Sequence, residues 1–268
     1  MLRISGVGAS HVGLVREHNE DAGFVSPMLI LVADGVGGAA AGEVASATTA
    51  YVVAATALAR PDHDPAEVLT AAVARAFEQL VLGVAEDPRR SGMATTLTAL
   101  LTDGARFALA HIGDSRGYLY RANELTRITH DHTVVQGLVD EGQLDEQAAE
   151  SSAFRNVLTR TIHAGREPAD VVPLDLVDGD RVLLASDGLT DLVSDRRIEE
   201  ILRGYDDDEA LPRLVDEALG EGGRDNVTCV LGTIIEGPPV SSDGALLGTV
   251  REVSNIVNAA AVRRDASA

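Results

Sequence analysis

The residues best suited to chemistry are aspartates at the ends of expected strands, each read as following an apolar run. They are Asp21 in Asn19-Glu20-Asp21, Asp34 in Ala33-Asp34-Gly35, Asp114 in Gly113-Asp114-Ser115, Asp187 in Ser186-Asp187-Gly188 and Asp225 in Arg224-Asp225-Asn226. Any one of them alone reads as an ordinary turn residue, since Asp and Gly are favoured in turns. Their repetition at the ends of expected strands reads differently. Carboxylates delivered to one rim of a sheet repel one another unless cations neutralise them. An all-oxygen donor set selects Mg²⁺, Mn²⁺ or Ca²⁺ rather than zinc. The pattern points to a carboxylate-lined site for divalent cations.

Such a site needs elements that carry the acids to one place. The apolar run 28–33 reads as a buried strand delivering Asp34 to a glycine-rich turn. Ala-rich sequence from Ala39 to Ala59 reads as a helix. A second helix is expected over 65–85, opened by Asp64-Pro65 as N-cap and first-turn proline. Short β-like runs follow at 95–101, 106–112 and 117–120, separated by Gly104 and the segment 113–117. Residues 131–168 are polar with helical pieces, the pattern of a lid or flap. Strand character returns at 171–176 and 181–185 with Gly179 as the turn, then helices at 195–203 and 208–219, and a last strand at 227–233. Consecutive hairpin-like strands with paired helices argue for an α+β layered domain rather than βαβ alternation. Gly237-Pro238-Pro239 marks the end of a domain spanning 1–236 and leaves a tail, 237–268. In that tail Leu246, Val250, Val253 and Val257 share one face of an expected helix, suited to docking on the domain, to a partner or to a second copy; a frayed tail is the alternative.

Composition narrows the function. The chain has 268 residues, 45% apolar and 24% charged, with 22 Lys+Arg against 42 Asp+Glu and a formal charge of −20. This balance opposes nucleic-acid binding, because a phosphate backbone is repelled over most of the surface. Aromatics are 3% and Trp is absent, so Val, Leu, Ile and Ala must fill the core. Cys229 is the lone cysteine, so there is no internal disulfide framework and the expectation is a cytoplasmic protein. No uninterrupted apolar stretch approaches the roughly 20 residues that span a bilayer. The expectation is a monomer with no membrane partner.

The motifs resemble a known family. Arg16-x-x-Asn19-Glu20-Asp21, Ala33-Asp34-Gly35-x-Gly37-Gly38, Gly92-Met93-Ala94-Thr95-Thr96, His111-Ile112-Gly113-Asp114-Ser115-Arg116, Ser186-Asp187-Gly188-Leu189 and Gly223-Arg224-Asp225-Asn226-x-Thr228 occur in the order and spacing of the PP2C family, the metal-dependent PPM-type serine/threonine protein phosphatases, in its bacterial branch. The resemblance covers about residues 3–235. It implies a four-layer α-β-β-α sandwich, two antiparallel sheets flanked by helix pairs, with the flap at 131–168. It also implies hydrolysis of phosphoserine and phosphothreonine on proteins by a water activated at a binuclear Mn²⁺ or Mg²⁺ centre. The partners would be targets of Ser/Thr kinases, or the kinases themselves.

By the family pattern Asp34 bridges two metals and the Gly35 carbonyl ligates one. Asp187 and Asp225 complete the first metal's ligands, Glu20 holds the second metal through water, and Asp21 positions coordinated waters. Asp114 matches a ligand of a third site shared with Asp187, making two to three ions in all. Arg16 matches the residue that clamps the substrate phosphate, which its planar fork suits. Two departures stand out. Val36 occupies the position where animal relatives often carry a His proposed as general acid, and Ala94 replaces a usual glycine. His111 reads as a core hydrogen-bonding residue. Asp131-His132-Thr133 matches a recurring family segment near the site, while Asn156 and Arg160 read as capping or packing residues.

Other readings fare worse. Gly35-x-Gly37-x-x-Ala40 imitates a dinucleotide fingerprint but lacks the acid about 20 residues on. Cys229 lacks the nearby Arg of a cysteine phosphatase. His130-Asp131-His132 lacks further zinc ligands. The remaining rivals are a catalytically weak regulatory module and a phosphatase dedicated to one anti-sigma antagonist type regulator.

Overall fold

The computed structural model describes residues 1–36, 41–150, 152–164, 168–237 and 244–258. Gly37 and Gly38 of the glycine motif, and Ala39 and Ala40 where the first helix was expected to begin, lie outside the described residues. In chain order the elements are β1 (Leu2–His11), β2 (Asp21–Val25), β3 (Leu29–Asp34), α1 (Gly42–Leu58), α2 (Pro65–Glu86), β4 (Ala94–Thr95), β5 (Leu97–Thr102), β6 (Phe107–Ile112), β7 (Arg116–Arg121) and β8 (Glu124–Arg127). They continue with α3 (Val134–Asp140), α4 (Glu146–Glu150), β9 (Ile162–His163), β10 (Asp170–Leu174), β11 (Arg181–Ala185), α5 (Asp187–Thr190), α6 (Asp195–Gly204), α7 (Asp207–Gly220), β12 (Val227–Glu236) and β13 (Ala245–Gly248).

Two antiparallel sheets form the middle. The first has the order β1-β12-β11-β7-β8 and the second β10-β6-β5-β3-β2-β13. Strand β3 shows why they stack. Ile30 and Val32 join Ile4, Leu100, Leu109, Val182, Leu184, Val230 and Ile234 between the sheets. Leu29, Leu31 and Ala33 point the other way, into the layer beneath α1 and α2. A strand covered on both faces reads as an unbroken apolar run, not an alternating one. The outer face of the first sheet is covered by α6 and α7 through Ile198, Ile201, Leu202, Leu211 and Leu214. The result is the four-layer sandwich implied by the family resemblance.

Helix α2 begins as expected, with Asp64 accepting from the Ala66 and Glu67 N–H groups at 2.9 and 3.2 Å. By length and composition it could cross a bilayer. Here Val68, Leu69, Ala72, Val73, Ala76, Phe77 and Leu80 pack its inner face into the core.

Three expectations need correction. Strands β10 and β11 do not form a hairpin about Gly179: β10 pairs with β6 at one sheet's edge, and β11 lies between β12 and β7 in the other. A turn signal shows that the chain reverses, not which sheet it enters. Strand β12 is not the last, since β13 follows it. The helix expected from Leu246 to Val257 is instead β13 on the free edge of β2, followed by two single 3₁₀ turns, Thr249–Arg251 and Val253–Asn255. The unpaired backbone of β2 rewards a strand there, and that tertiary context overrides the helical spacing of the apolar residues.

Candidate active site

Antiparallel register gathers the acids. Asp21 at the start of β2 lies directly opposite Asp34 at the end of β3. Asp187 opens α5 just after β11, and Asp225 lies two residues before β12, which pairs with β11. Asp114 sits in the turn between β6 and β7. Acids that precede a strand thus meet acids that follow one. The sequence reading put all five after apolar runs, which does not hold for Asp21 and Asp225.

Side chains of small polar residues fix this rim. Thr96 Oγ1 accepts from the Asp34 N–H at 3.0 Å, and Thr95 Oγ1 donates to the Asp34 carbonyl at 2.8 Å. Asn226 staples the loop before β2: its Nδ2 donates to the Val12 and His18 carbonyls at 2.9 and 3.0 Å, and its Oδ1 accepts from the Glu20 N–H at 2.7 Å. Gly35 N–H donates to the Glu20 carbonyl at 3.1 Å. A Cβ on Gly35 would lie 2.5 Å from the Gly42 carbonyl oxygen, so the close approach demands glycine.

The electrostatics are those of an acid cluster short of counter-charge. Desolvation first, then the charges of Asp21, Asp187, Asp114 and Asp225, hold the Asp34 carboxyl well above the usual 3.8. Asp187 is raised likewise by desolvation and then by Asp114, Asp191 and Asp225. Asp114 is pushed up to about 7 by desolvation, then by Asp131 and Asp191. Desolvation raises Asp21 to about 6, against the hydrogen bonds from Thr228 and Ser186 that favour its charged form. Glu20 is raised by desolvation and by Glu43. Asp21 is buried and accepts from Ser186 Oγ at 2.9 Å through Oδ2, while its Oδ1 has no partner. Among the described residues no three acid, imidazole or thiol groups are closed into a ready cage. Protein partners hold some of the acids: Arg16 Nη2 donates to Asp225 Oδ2 at 2.7 Å.

The donor set fits hard divalent cations. It is all oxygen, partly open to solvent, mutually repelling, and includes a buried carboxylate oxygen with no partner. The structure brings Glu20, Asp21, Asp34, Gly35, Asp114, Asp187 and Asp225 to this rim, with Arg16 at its edge.

Residues 7–219 match the family model described as Protein phosphatase 2C. The chain belongs to this family. It is 43% identical over 224 residues to the serine/threonine protein phosphatase PstP of Mycobacterium tuberculosis, which covers 84% of this chain and 44% of that protein. The chain therefore spans less than half the length of that relative. It is 32% identical over 231 residues to the serine/threonine phosphatase stp of Listeria monocytogenes, covering 82% of this chain and 91% of that protein. Among solved structures, the catalytic domain of PstP in complex with two manganese ions superposes with a TM-score of 0.80 at 41% identity, covering 88% of this chain and all of that one.

Within this phosphatase 2C chain, the sequence reading gave no role to Ser186, Asn226, Thr95, Thr96 or Asp191. The first four stand in the motifs themselves, so their positions carried a signal that their small polar type did not specify. Asp191 lies one helical turn beyond Asp187, faces Asp187 and Asp114 electrostatically, and accepts from Asn156 Nδ2 at 3.0 Å. His111 is buried, with Nε2 2.9 Å from the His130 carbonyl and Nδ1 3.0 Å from Thr98 Oγ1, a core role as expected. His132 clasps the turn that carries Asp114: its N–H donates to the Gly113 carbonyl at 2.8 Å and its Nδ1 accepts from the Gly113 N–H at 3.1 Å. Asp131 holds Arg116 at 2.7 Å, and Arg160 bonds Asp170 at 2.9 Å.

Proposed function

We propose that this chain hydrolyses phosphoserine and phosphothreonine on proteins at a binuclear Mn²⁺ or Mg²⁺ centre, with Asp114 serving a third site, and so reverses Ser/Thr kinase signalling in a bacterium. The observation that carries this reading is the convergence of Asp21, Asp114, Asp187 and Asp225 on Asp34, each close enough to raise its pKa. The manganese bound by the PstP catalytic domain supports it. Phosphorylated kinase targets, or the kinases themselves, would be the partners, met by a monomer in the cytoplasm.

Asp34 would be shared between the ions, with the Gly35 carbonyl, Asp187 and Asp225 completing one set of donors and Glu20 serving the other. The cations would supply charge neutralisation on the phosphoryl oxygens and an activated water. The chain's own residues set the geometry. Thr95, Thr96 and the β2–β3 register hold Asp34 and Asp21 side by side, and Ser186 orients Asp21. Arg16, at the rim, would give two N–H donors to phosphate oxygens once released from Asp225. Val36 has no titratable group, so residue 36 donates no proton to the leaving alkoxide.

The test is hydrolysis of a phosphothreonine peptide by the wild type and by Asp34→Asn, with Mn²⁺ and then with EDTA. Wild-type activity should vanish with EDTA and fall about 1,000-fold in the variant, the several kcal/mol that metal chemistry contributes. Activity surviving both treatments would overturn the assignment. A wild type that binds Mn²⁺ but turns over nothing would favour the regulatory module instead.

A further inference from the structure

The segment 244–258 lies beyond the family-matched residues 7–219, yet it is built into the underside of the rim. Its strand β13 pairs with β2, placing Gly248 opposite Ala22, next to Asp21. Gly248 adopts φ 66° and ψ −144°, a conformation open essentially to glycine. A Cβ there would lie 2.2 Å from the Asp21 carbonyl oxygen and 2.9 Å from Ser10 Oγ, which itself bonds Asn19 and Thr228.

The next residue reaches Glu20 by a second route. Thr249 is buried, its hydroxyl donates to the Glu43 carbonyl at 3.2 Å, and it lies 3.3 Å from Ser46 Oγ. Ser46 in turn donates its proton to the Glu20 carbonyl. Beyond this point the segment is anchored on the helix layer. Val250 and Val257 are buried in the core, and Thr48 Oγ1 accepts from the Val257 N–H at 3.0 Å while donating to the Asn255 carbonyl at 3.2 Å.

We propose that residues 244–258 form a strap that positions Glu20 and Asp21, so that divalent-cation affinity at the rim depends on Gly248 and Thr249. The strap rests on the metal-centre reading given above. Outer contacts of this kind matter because a donor misplaced by a fraction of an ångström loses cation affinity, typically tenfold or more when such a partner is removed. Gly248 and Thr249 are positioning residues and touch no reacting atom.

The test is Mn²⁺ calorimetry on the full chain for wild type, Thr249→Val, Thr249→Ser and Gly248→Ala, with circular dichroism to measure the folded fraction. Thr249→Val keeps the side-chain shape and removes the hydroxyl. It should weaken Mn²⁺ binding about tenfold, raise the Mn²⁺ midpoint for peptide hydrolysis equally, and leave kcat at saturating Mn²⁺ unchanged. Thr249→Ser should restore wild-type affinity, and Gly248→Ala should weaken binding more than Thr249→Val. If Gly248→Ala does not fold, Thr249→Val decides alone. A folded Thr249→Val that binds Mn²⁺ like the wild type overturns the strap and leaves the proposed phosphatase activity untouched. A wild type that binds Mn²⁺ in a Thr249-dependent way without hydrolysing peptide overturns the activity and leaves the strap standing.

Discussion

Asp21 and Asp180 are buried to nearly the same depth, at 1% and 2% exposure, and titrate in opposite directions. Burial pushes both up. At Asp180 it is outweighed by Arg121, whose Nε and Nη2 donate at 2.7 and 2.6 Å, and by the Val177 N–H at 2.7 Å, so the carboxyl is held below its ordinary value. Asp21 is met by the hydroxyls of Thr228 and Ser186 rather than by an arginine, faces the charge of Asp225 and rises to about 6. Asp34, Asp114 and Asp187 share its condition. The chain thus supplies arginine to a structural acid and gives none to Asp21, Asp34 or Asp187 at the rim. A cluster of acids lacking internal cations is poised to take cations from solution, and local order is sacrificed there for chemistry.

The sharpest way to break this comparison is to neutralise one acid of each kind. Asp187→Asn should lower peptide hydrolysis about 1,000-fold, yet raise the melting temperature in EDTA by relieving repulsion, as functional-site substitutions often do. Asp180→Asn should do the reverse. It leaves Arg121 and the Val177 N–H without their charged acceptor and should cost about 2 kcal/mol, less than a fully buried pair because Arg121 is 43% exposed. Activity at 25 °C should be retained. If both substitutions destabilise equally in EDTA, as read by thermal melting, the rim is not under strain and the comparison fails.

The motifs made the rim acids legible in the sequence directly, and the fold only through the family that they identify. Six motifs in order and spacing, three of them with an aspartate beside glycine, identify the family without any knowledge of strand pairing. Periodicity alone reached α+β with a lid and stopped short of two stacked sheets. Strand β1 went unread because Ser5, Gly6, Gly8, Ala9 and Ser10 give it little apolar character, although ten residues of it pair with β12. Strand β13 went unread because its pairing is decided by an open edge on β2, more than two hundred residues away, and tertiary context overrides a weak local pattern. Ser186 and Asn226 illustrate a further limit. Their chemistry is common, and only the fold shows that they bond Asp21 and Glu20.

Arg16 refines the contrast, since it is a cation at the rim that already holds an acid. Its side chain is 41% exposed and that of Asp225 35%, so their bond contributes under about 1 kcal/mol and is readily exchanged for a phosphate. Arg16→Ala should therefore lower kcat/KM about 10- to 100-fold, the worth of charge-assisted bonds to the phosphoryl group. Its melting temperature in EDTA should match the wild type. A variant that keeps kcat/KM but melts earlier would make Arg16 a structural partner of Asp225, like Arg121 with Asp180.

The smallest expected effect is on stability against pH in EDTA, and it tests both kinds of acid at once. Asp21 and Asp114 have folded pKa values raised to about 6 and about 7 from an ordinary 3.8. Between these limits the folded chain binds more protons than the unfolded chain, so their contribution is fully present below pH 3.8 and is lost as pH rises through 6 to 7. Asp180 is shifted the other way: its contribution is present above 3.8 and is lost as pH falls through its lowered folded pKa. The melting temperature in EDTA should therefore be higher at pH 5 than at pH 7.5. Saturating Mn²⁺ should shrink or reverse that difference, because bound cations favour the charged acids. In Asp187→Asn the slope should flatten, since one neighbouring charge is gone, while Asp180→Asn should leave it intact. A melting temperature that rises steadily from pH 5 to 7.5 in EDTA would mean that the rim acids are neutralised from within the protein.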